Sequence, residues 1–178
     1  RYTLTVTNGL GSATSPAVEV QVGQTAPVVS GSFAAWGNNM WGQIGDGKGL
    51  GRTAMVAVDK SGVLAGKTVV SVAGGGEWSN GAYQGVFSGH SVALTQDGRL
   101  YAWGYNSDGQ LGIGTVVDAP VPVTVLSSGV LSGKVMTAVA VGRRHSLALG
   151  TDGKVYVWGR NNNGQLGDGT SLQSNVPV

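Results

Sequence analysis

Three Trp-Gly pairs, Trp36-Gly37, Trp103-Gly104 and Trp158-Gly159, each have a glutamine seven residues after the tryptophan, at Gln43, Gln110 and Gln165. Around the glutamines the chain reads WGQIGDG (41–47), DGQLGIG (108–114) and NGQLGDG (163–169), and an asparagine follows each pair at Asn39, Asn106 and Asn161. Upstream, HSVALTQDGRLYAWG (90–104) aligns without a gap on HSLALGTDGKVYVWG (145–159). A fixed internal period of this kind restricts the chain to repeat architectures, in which each unit buries its apolar face against its neighbours. Trp103 and Trp158 are 55 residues apart and Trp36 and Trp103 are 67 apart. The difference of 12 falls between Gly75 and His90, where the earlier copy carries an insertion and the later one has only Arg143-Arg144.

Each unit reads as β-structure. Val92 and Leu94, like Leu147 and Leu149, alternate with small or polar residues, the period of a half-buried strand. Asp97-Gly98 and Asp152-Gly153 follow at hairpin positions, where the turn demands positive φ. The second arms, 99–103 and 154–158, are rich in Tyr, Val and Trp, and Val69–Val72 and Val135–Val141 supply a further strand. Pro120 and Pro122 suit an outer edge strand, which needs no ladder donor. No stretch of ten residues has helical spacing. Several short strands with glycine turns, repeated near 50 residues, predict the blades of a β-propeller. The 32 glycines serve this pattern, since they recur at fixed offsets without a Gly-X-Y period. The expected fold is all-β: a partial propeller of about two and a half to three antiparallel blades over 32–178, after a hairpin and a linker at 23–31.

The motif H-S-x-A-L-x-x-D-G-x-[LV]-Y-x-W-G-x-N-x-x-G-Q-L-G resembles the repeat of the regulator of chromosome condensation family. The likeness covers residues 33–178, and it implies seven four-stranded blades in a complete member. Members include an exchange factor for a small GTPase, ubiquitin-ligase subunits and secreted bacterial proteins, so shared fold says little about shared function. The first copy departs from the pattern, with Ser32-Phe33-Ala34-Ala35 in the hairpin arm and Met40-Trp41 at small polar positions. Residues 1–22 resemble the last hairpin of an immunoglobulin-like domain, two alternating strands around Asn8-Gly9-Leu10-Gly11 with Tyr2 near the corner tyrosine. Together these readings predict a modular exported or cell-surface protein of bacterial source, of which this chain is a fragment.

Trp36, Gln43, His90, Trp103, Gln110, His145, Trp158 and Gln165 are read as structural residues of the repeat. A glutamine amide has donors and an acceptor with which to satisfy backbone groups where blades meet. His90 and His145 are expected to be hydrogen-bonded inside the blade, because two histidines alone do not make a metal site. Asp46, Asp108 and Asp168 sit near Gly and Asn, but the spacing of a calcium loop is missing. With no cysteine, thiolate chemistry is excluded, and no Ser–His–Asp order stands out. No catalytic residue, cofactor or metal is therefore assigned. Charged residues make up 11% of the chain against roughly 25% in typical domains, and the net charge is +2 without a basic stripe. Nucleic-acid binding is not expected. No apolar run approaches the ~18 residues of a transmembrane helix.

The candidate recognition site is the insertion, with Glu77, Trp78, Asn80, Tyr83, Gln84 and Phe87 on an extra loop made flexible by Gly76, Gly81, Gly85 and Gly89. Arg143 and Arg144 occupy the equivalent place in the next unit and would add a basic contact. The leading expectation is a non-catalytic binding module for a protein or glycan, recognised by the loops of a rigid scaffold. The alternatives are a spacer or adhesin-like array, part of a propeller enzyme whose site lies elsewhere, and an exchange-factor role. Open blade edges would also permit self-association.

Overall fold

The computed structural model describes residues 5–8, 11–14, 33–79 and 86–178. The chain divides into two compact units, Arg1–Ser30 and Gly31–Val178. In the first, β1 (Thr5–Asn8) and β2 (Gly11–Thr14) pair antiparallel with Thr5 opposite Thr14 and Asn8 opposite Gly11. Tyr2 lies outside the described residues.

The second unit is built from three antiparallel sheets in succession. The first pairs β3 (Ala34–Gly37) with β4 (Arg52–Ala57). The second has four strands in the order β5 (Val69–Ser79), β6 (Val86–Thr95), β7 (Leu100–Gly104), β8 (Ala119–Thr124). The third has β9 (Met136–Val141), β10 (His145–Gly150) and β11 (Val155–Gly159), extended by a bridge between Gly159 and Ser174. Each is one blade, and the Trp-Gly pair ends the same strand in all three. The glycine of each pair faces the outermost strand at Arg52, Ala119 or Ser174, fifteen residues on in every case. The proline strand β8 is the outer edge of its sheet, as its missing donors require. Among the described residues the only helical turn is a 3-10 turn at Gly129–Leu131, and no helix is long and apolar enough to cross a membrane.

The hairpins turn on glycine. Thr95 N–H donates to Arg99 C=O and Gly98 N–H to Thr95 C=O, and Gly98 takes φ +73°. A residue with a Cβ pays in strain for that backbone. The turn Asn161–Gly164 enters the left-handed region at Gly164, with φ +72°.

The core lies between blades. Val92, Leu94, Leu100 and Ala102 of the second blade pack with Met136, Ala148, Tyr156 and Trp158 of the third. On the opposite face Ala93 and Trp103 pack with Val58 and Phe33 of the first. The middle strands of the second blade are thus buried on both faces: Val92, Ala93 and Leu94 are all inside, as is every residue of β7. Period-2 alternation predicted strands with one wet face. Of the two aligned strands β6 and β10 that holds for β10, where Ser146 and Ala148 are buried and Leu149 is exposed, because Leu147 and Leu149 occupy the face that Val92 and Leu94 turn toward a following blade.

The described part of the insertion is strand, not loop. It lengthens β5 and β6 into one hairpin, with Gly76 opposite Gly89, Glu77 opposite Ser88 and Trp78 opposite Phe87, up to Ser79 and Val86. Nor does Gly76 supply flexibility: a Cβ there would come within 2.4 Å of Ser88 O, so the glycine permits close strand approach. The registry continues because Trp, Val and Phe are strand formers. Asn80, Tyr83 and Gln84 lie outside the described residues.

Candidate functional site

At each junction one glutamine backbone carbonyl accepts two side-chain donors from the following blade. Gln110 C=O accepts from Trp158 Nε1–H at 2.9 Å and from Ser146 Oγ–H at 2.9 Å. One blade earlier, Gln43 C=O accepts from Trp103 Nε1–H at 2.9 Å and Ser91 Oγ–H at 3.0 Å. The glutamine amides were expected to make this contact. They close their own turns instead, each Oε1 accepting from the N–H two residues back, at Trp41, Asp108 and Asn163. The turn so formed aims the glutamine carbonyl at the next blade. Gly112 leaves room for the indole, since a Cβ would lie 2.7 Å from Trp158 Nε1.

His90 is 1% exposed and spans the junction, its Nε2 2.8 Å from Ser146 Oγ. Ser146 spends its only proton on Gln110 C=O, so His90 Nε2 carries the hydrogen and the ring is neutral. Burial, aided by the neighbouring His145, lowers the His90 pKa from 6.5 to about 3. Burial also lowers that of His145. An unfolded histidine takes up its proton near pH 6.5 while folded His90 refuses it, so its stabilising share is complete above 6.5 and is lost as pH falls toward 3. Stability is expected to drop by about 2 kcal/mol between pH 7 and pH 5 through His90 alone. Asp97, lowered to about 2 by Lys67 and Thr95, keeps its contribution down to its ordinary 3.8 and loses it only below, outside this window. Urea titrations from pH 7 to 5 check this: His90→Gln must flatten the slope, and an unchanged slope assigns the sensitivity elsewhere.

At one end of the second blade, charges from two blades converge. Arg144 lies between Glu77, in direct contact with its Nε, and Asp108, whose Oδ2 is 3.1 Å from Nη1. Its guanidinium sits 5.3 Å from the centroid of the Tyr105 ring, and that ring packs on Trp41 of the first blade at 5.0 Å. Burial pulls the Arg144 pKa down, but the Asp108 hydrogen bond and the Glu77 charge outweigh it and raise it. Glu77 also faces Arg143 at 3.7 Å and Arg160 at 3.9 Å. Three guanidinium groups thus meet two carboxylates. Arg143 is 76% exposed, whereas Glu77 and Asp108 are 16% and 14% exposed. Arg143 is the cluster's exposed charge, since Arg144 and Arg160 are 20% and 32% exposed, and Trp41 Nε1–H is buried beside it without an acceptor among the described residues.

Of the residues picked from sequence, the structure brings Glu77, Arg143 and Arg144 together, and sets Trp78 and Phe87 opposite one another further along the hairpin. Sequence reasoning missed Trp41, Tyr105, Asp108 and Arg160. A signal was present: Asn38, Tyr105 and Arg160 share one repeat position, and Trp41, Asp108 and Asn163 another, and both vary between matching flanks. Among the described residues no group of three or more His, Cys, Asp or Glu is placed to hold a metal.

Models of the regulator of chromosome condensation (RCC1) repeat match residues 97–149 and 136–165. The chain is 34% identical over 148 residues to the ultraviolet-B receptor UVR8 of Arabidopsis thaliana, covering 83% of this chain and 30% of the receptor. Identity to the protein RCC2 homolog of Xenopus laevis is also 34% over 148 residues, covering 83% and 23%. The structure superimposes on Prp20p of Saccharomyces cerevisiae with a TM-score of 0.65 at 25% identity, over 83% of this chain and 33% of that one. The chain therefore spans a third or less of the length of these relatives. Matching repeats, blade order and superposition together show that the chain is a partial β-propeller belonging to the regulator of chromosome condensation repeat family.

Proposed function

We propose that this segment is a non-catalytic protein-interaction module whose recognition face is the cluster of Arg143, Arg144 and Arg160 with Tyr105 and Trp41. The observation that carries the reading is the arrangement around Glu77, a half-buried carboxylate faced by three guanidinium groups of which Arg143 stands out in solvent. Half-buried Glu77 and Asp108 hold Arg144 in place, so little ordering entropy is lost when a partner arrives. Exposed Arg143 offers a fork of donors for a carboxylate. The partner surface is acidic, and aromatic Tyr105 and Trp41 supply apolar area beside the charges. A protein partner is favoured over a glycan, since Prp20p is described with binding properties toward Gsp1p and histones. An exported setting belongs to the same proposal, and its support is the β1–β2 hairpin that an immunoglobulin-like ending would require.

A glutamate-rich octapeptide is the first probe. It is expected to bind in a salt-dependent manner, and Arg143→Glu is expected to weaken it about tenfold with no change in melting temperature. Equal binding of a lysine-rich octapeptide, or an unaffected Arg143→Glu variant, would overturn the reading.

A further inference from the structure

The outermost strands of the three blades differ at one repeat position. Nineteen residues after the tryptophan stand Pro122 and Pro177 in the second and third blades, but Met55 in the first. Hydrogen bonds fix which way the backbone points there. Val58 N–H donates to Phe33 C=O as Val125 N–H does to Leu100 C=O, and Val178 and Val157 exchange N–H and C=O. Directions alternate along an antiparallel ladder. Val56 and Val58 therefore face β3, while Met55 and Ala57 turn their N–H and C=O away from it. The prolines sit where an N–H would point out of the blade, and Met55 restores that donor. β4 lies on β3 as β8 lies on β7, with Gly37 facing Arg52 as Gly104 faces Ala119. This edge is thus the outer rim, where the four-stranded second blade also ends, and among the described residues no strand pairs with it from outside. From Thr53 to Val58 it carries neither proline nor charge, the usual guards of an edge. Met55 is 72% exposed.

We propose that this rim is a docking edge for a second copy of the chain, the two β4 strands pairing antiparallel about a two-fold axis at Val56. That register uses the outward groups of both residues: Met55 N–H donates to Ala57 C=O of the other copy, and Ala57 N–H donates to Met55 C=O. It also matches sizes. Met55 and Ala57 share one face of the strand, and the axis sets the long side chain of one copy opposite the small one of the other, twice. Val56 opposes itself, and no charge is set against its like, as an edge lysine at that position would be. A two-fold contact is closed, so association stops at the dimer. The irregular pairing beside Gly37 does not guard the edge in place of proline, since the same irregularity beside Gly104 accompanies Pro120 and Pro122. β4 shares no residue with the arginine cluster, so the dimer stands or falls independently of it.

The test is sedimentation equilibrium and light scattering on the full chain over a concentration series. A monomer–dimer equilibrium with a dissociation constant on the order of 100 µM is expected of so small an interface. Met55→Pro is expected to weaken it more than about tenfold and to leave the melting temperature of the dilute protein unchanged, because Pro122 and Pro177 occupy that position in folded blades. Arg143→Glu is expected to dimerise like the parent chain. Cysteine fixes the register, since the chain has none of its own. Two Val56 residues across the axis form a non-hydrogen-bonded pair with Cα atoms about 4.5 Å apart, within reach of a disulfide. Val56→Cys is therefore expected to oxidise to a covalent dimer, and Met55→Cys, opposite Ala57, to do so at least about tenfold more slowly. The proposal is overturned if the chain stays monomeric throughout, which leaves the edge to its own residues or to a different partner strand. It is equally overturned if Met55→Pro dimerises normally or if Val56→Cys does not cross-link. Should proline unfold the blade, the two cysteine variants decide alone.

Discussion

Trp103→Ala is expected to cost about 4 kcal/mol, and the same substitution at Trp36, its repeat equivalent, less than about 0.5 kcal/mol. Trp103 is 1% exposed, packs on Phe33 with ring centroids 5.9 Å apart and gives its Nε1–H to Gln43 C=O. Removing it leaves a cavity between two blades and takes one of two donors from a carbonyl at the junction. Trp36 is 63% exposed and has no preceding blade among the described residues to receive it. Urea denaturation of both variants decides the matter. Comparable losses would mean that Trp36 is buried in solution.

Asn106→Ala is expected to cost about 3 kcal/mol, from a single amide whose hydrogen bonds all go to main-chain groups. Asn106 is fully buried. Its Oδ1 accepts from Leu111 N–H at 2.9 Å, and its Nδ2 donates to Thr115 C=O at 3.0 Å and Val117 C=O at 2.9 Å. Alanine leaves these three main-chain groups without their partner, and each orphaned buried group costs about 1–3 kcal/mol, partly relieved by water. Asn106→Asp separates donor from acceptor: it keeps the bond to Leu111 N–H but turns a carboxylate toward two carbonyls, so it is expected to be no better than alanine. The same geometry recurs at Asn39, which accepts from Ile44 N–H, and at Asn161, which accepts from Leu166 N–H. A loss below about 1 kcal/mol in a denaturant titration of Asn106→Ala would show that the turn holds itself without the amide.

The repeated asparagine was visible in the sequence, but its role was not. Spacing reveals that a position is shared, and only coordinates reveal that one amide closes a nine-residue loop from inside. The glutamines teach a related lesson. Their place at the blade junction followed from the repeat, yet the side chain turned out to serve its own turn and the main chain the junction. A sequence names side chains, so contacts made by backbone atoms are the ones it hides. The insertion was located to the residue, and its conformation was missed because glycine marks both flexible loops and strands in close approach. Gly76 is of the second kind.

By itself the sequence determined the β-structure of the repeat, its period, the hairpin glycines and the family, because these depend on local backbone preference and on spacing along the chain. Tertiary structure alone decided which face of each strand is dry, since Val92 and Leu149 share a pattern and differ in whether a following blade packs on them among the described residues. It likewise decided the recognition cluster. Trp41, Glu77, Tyr105, Asp108, Arg144 and Arg160 are scattered over more than a hundred residues and meet because successive blades bring their turns to one end. Electrostatic and packing energies fall off over a few ångströms of space, whatever the separation along the chain.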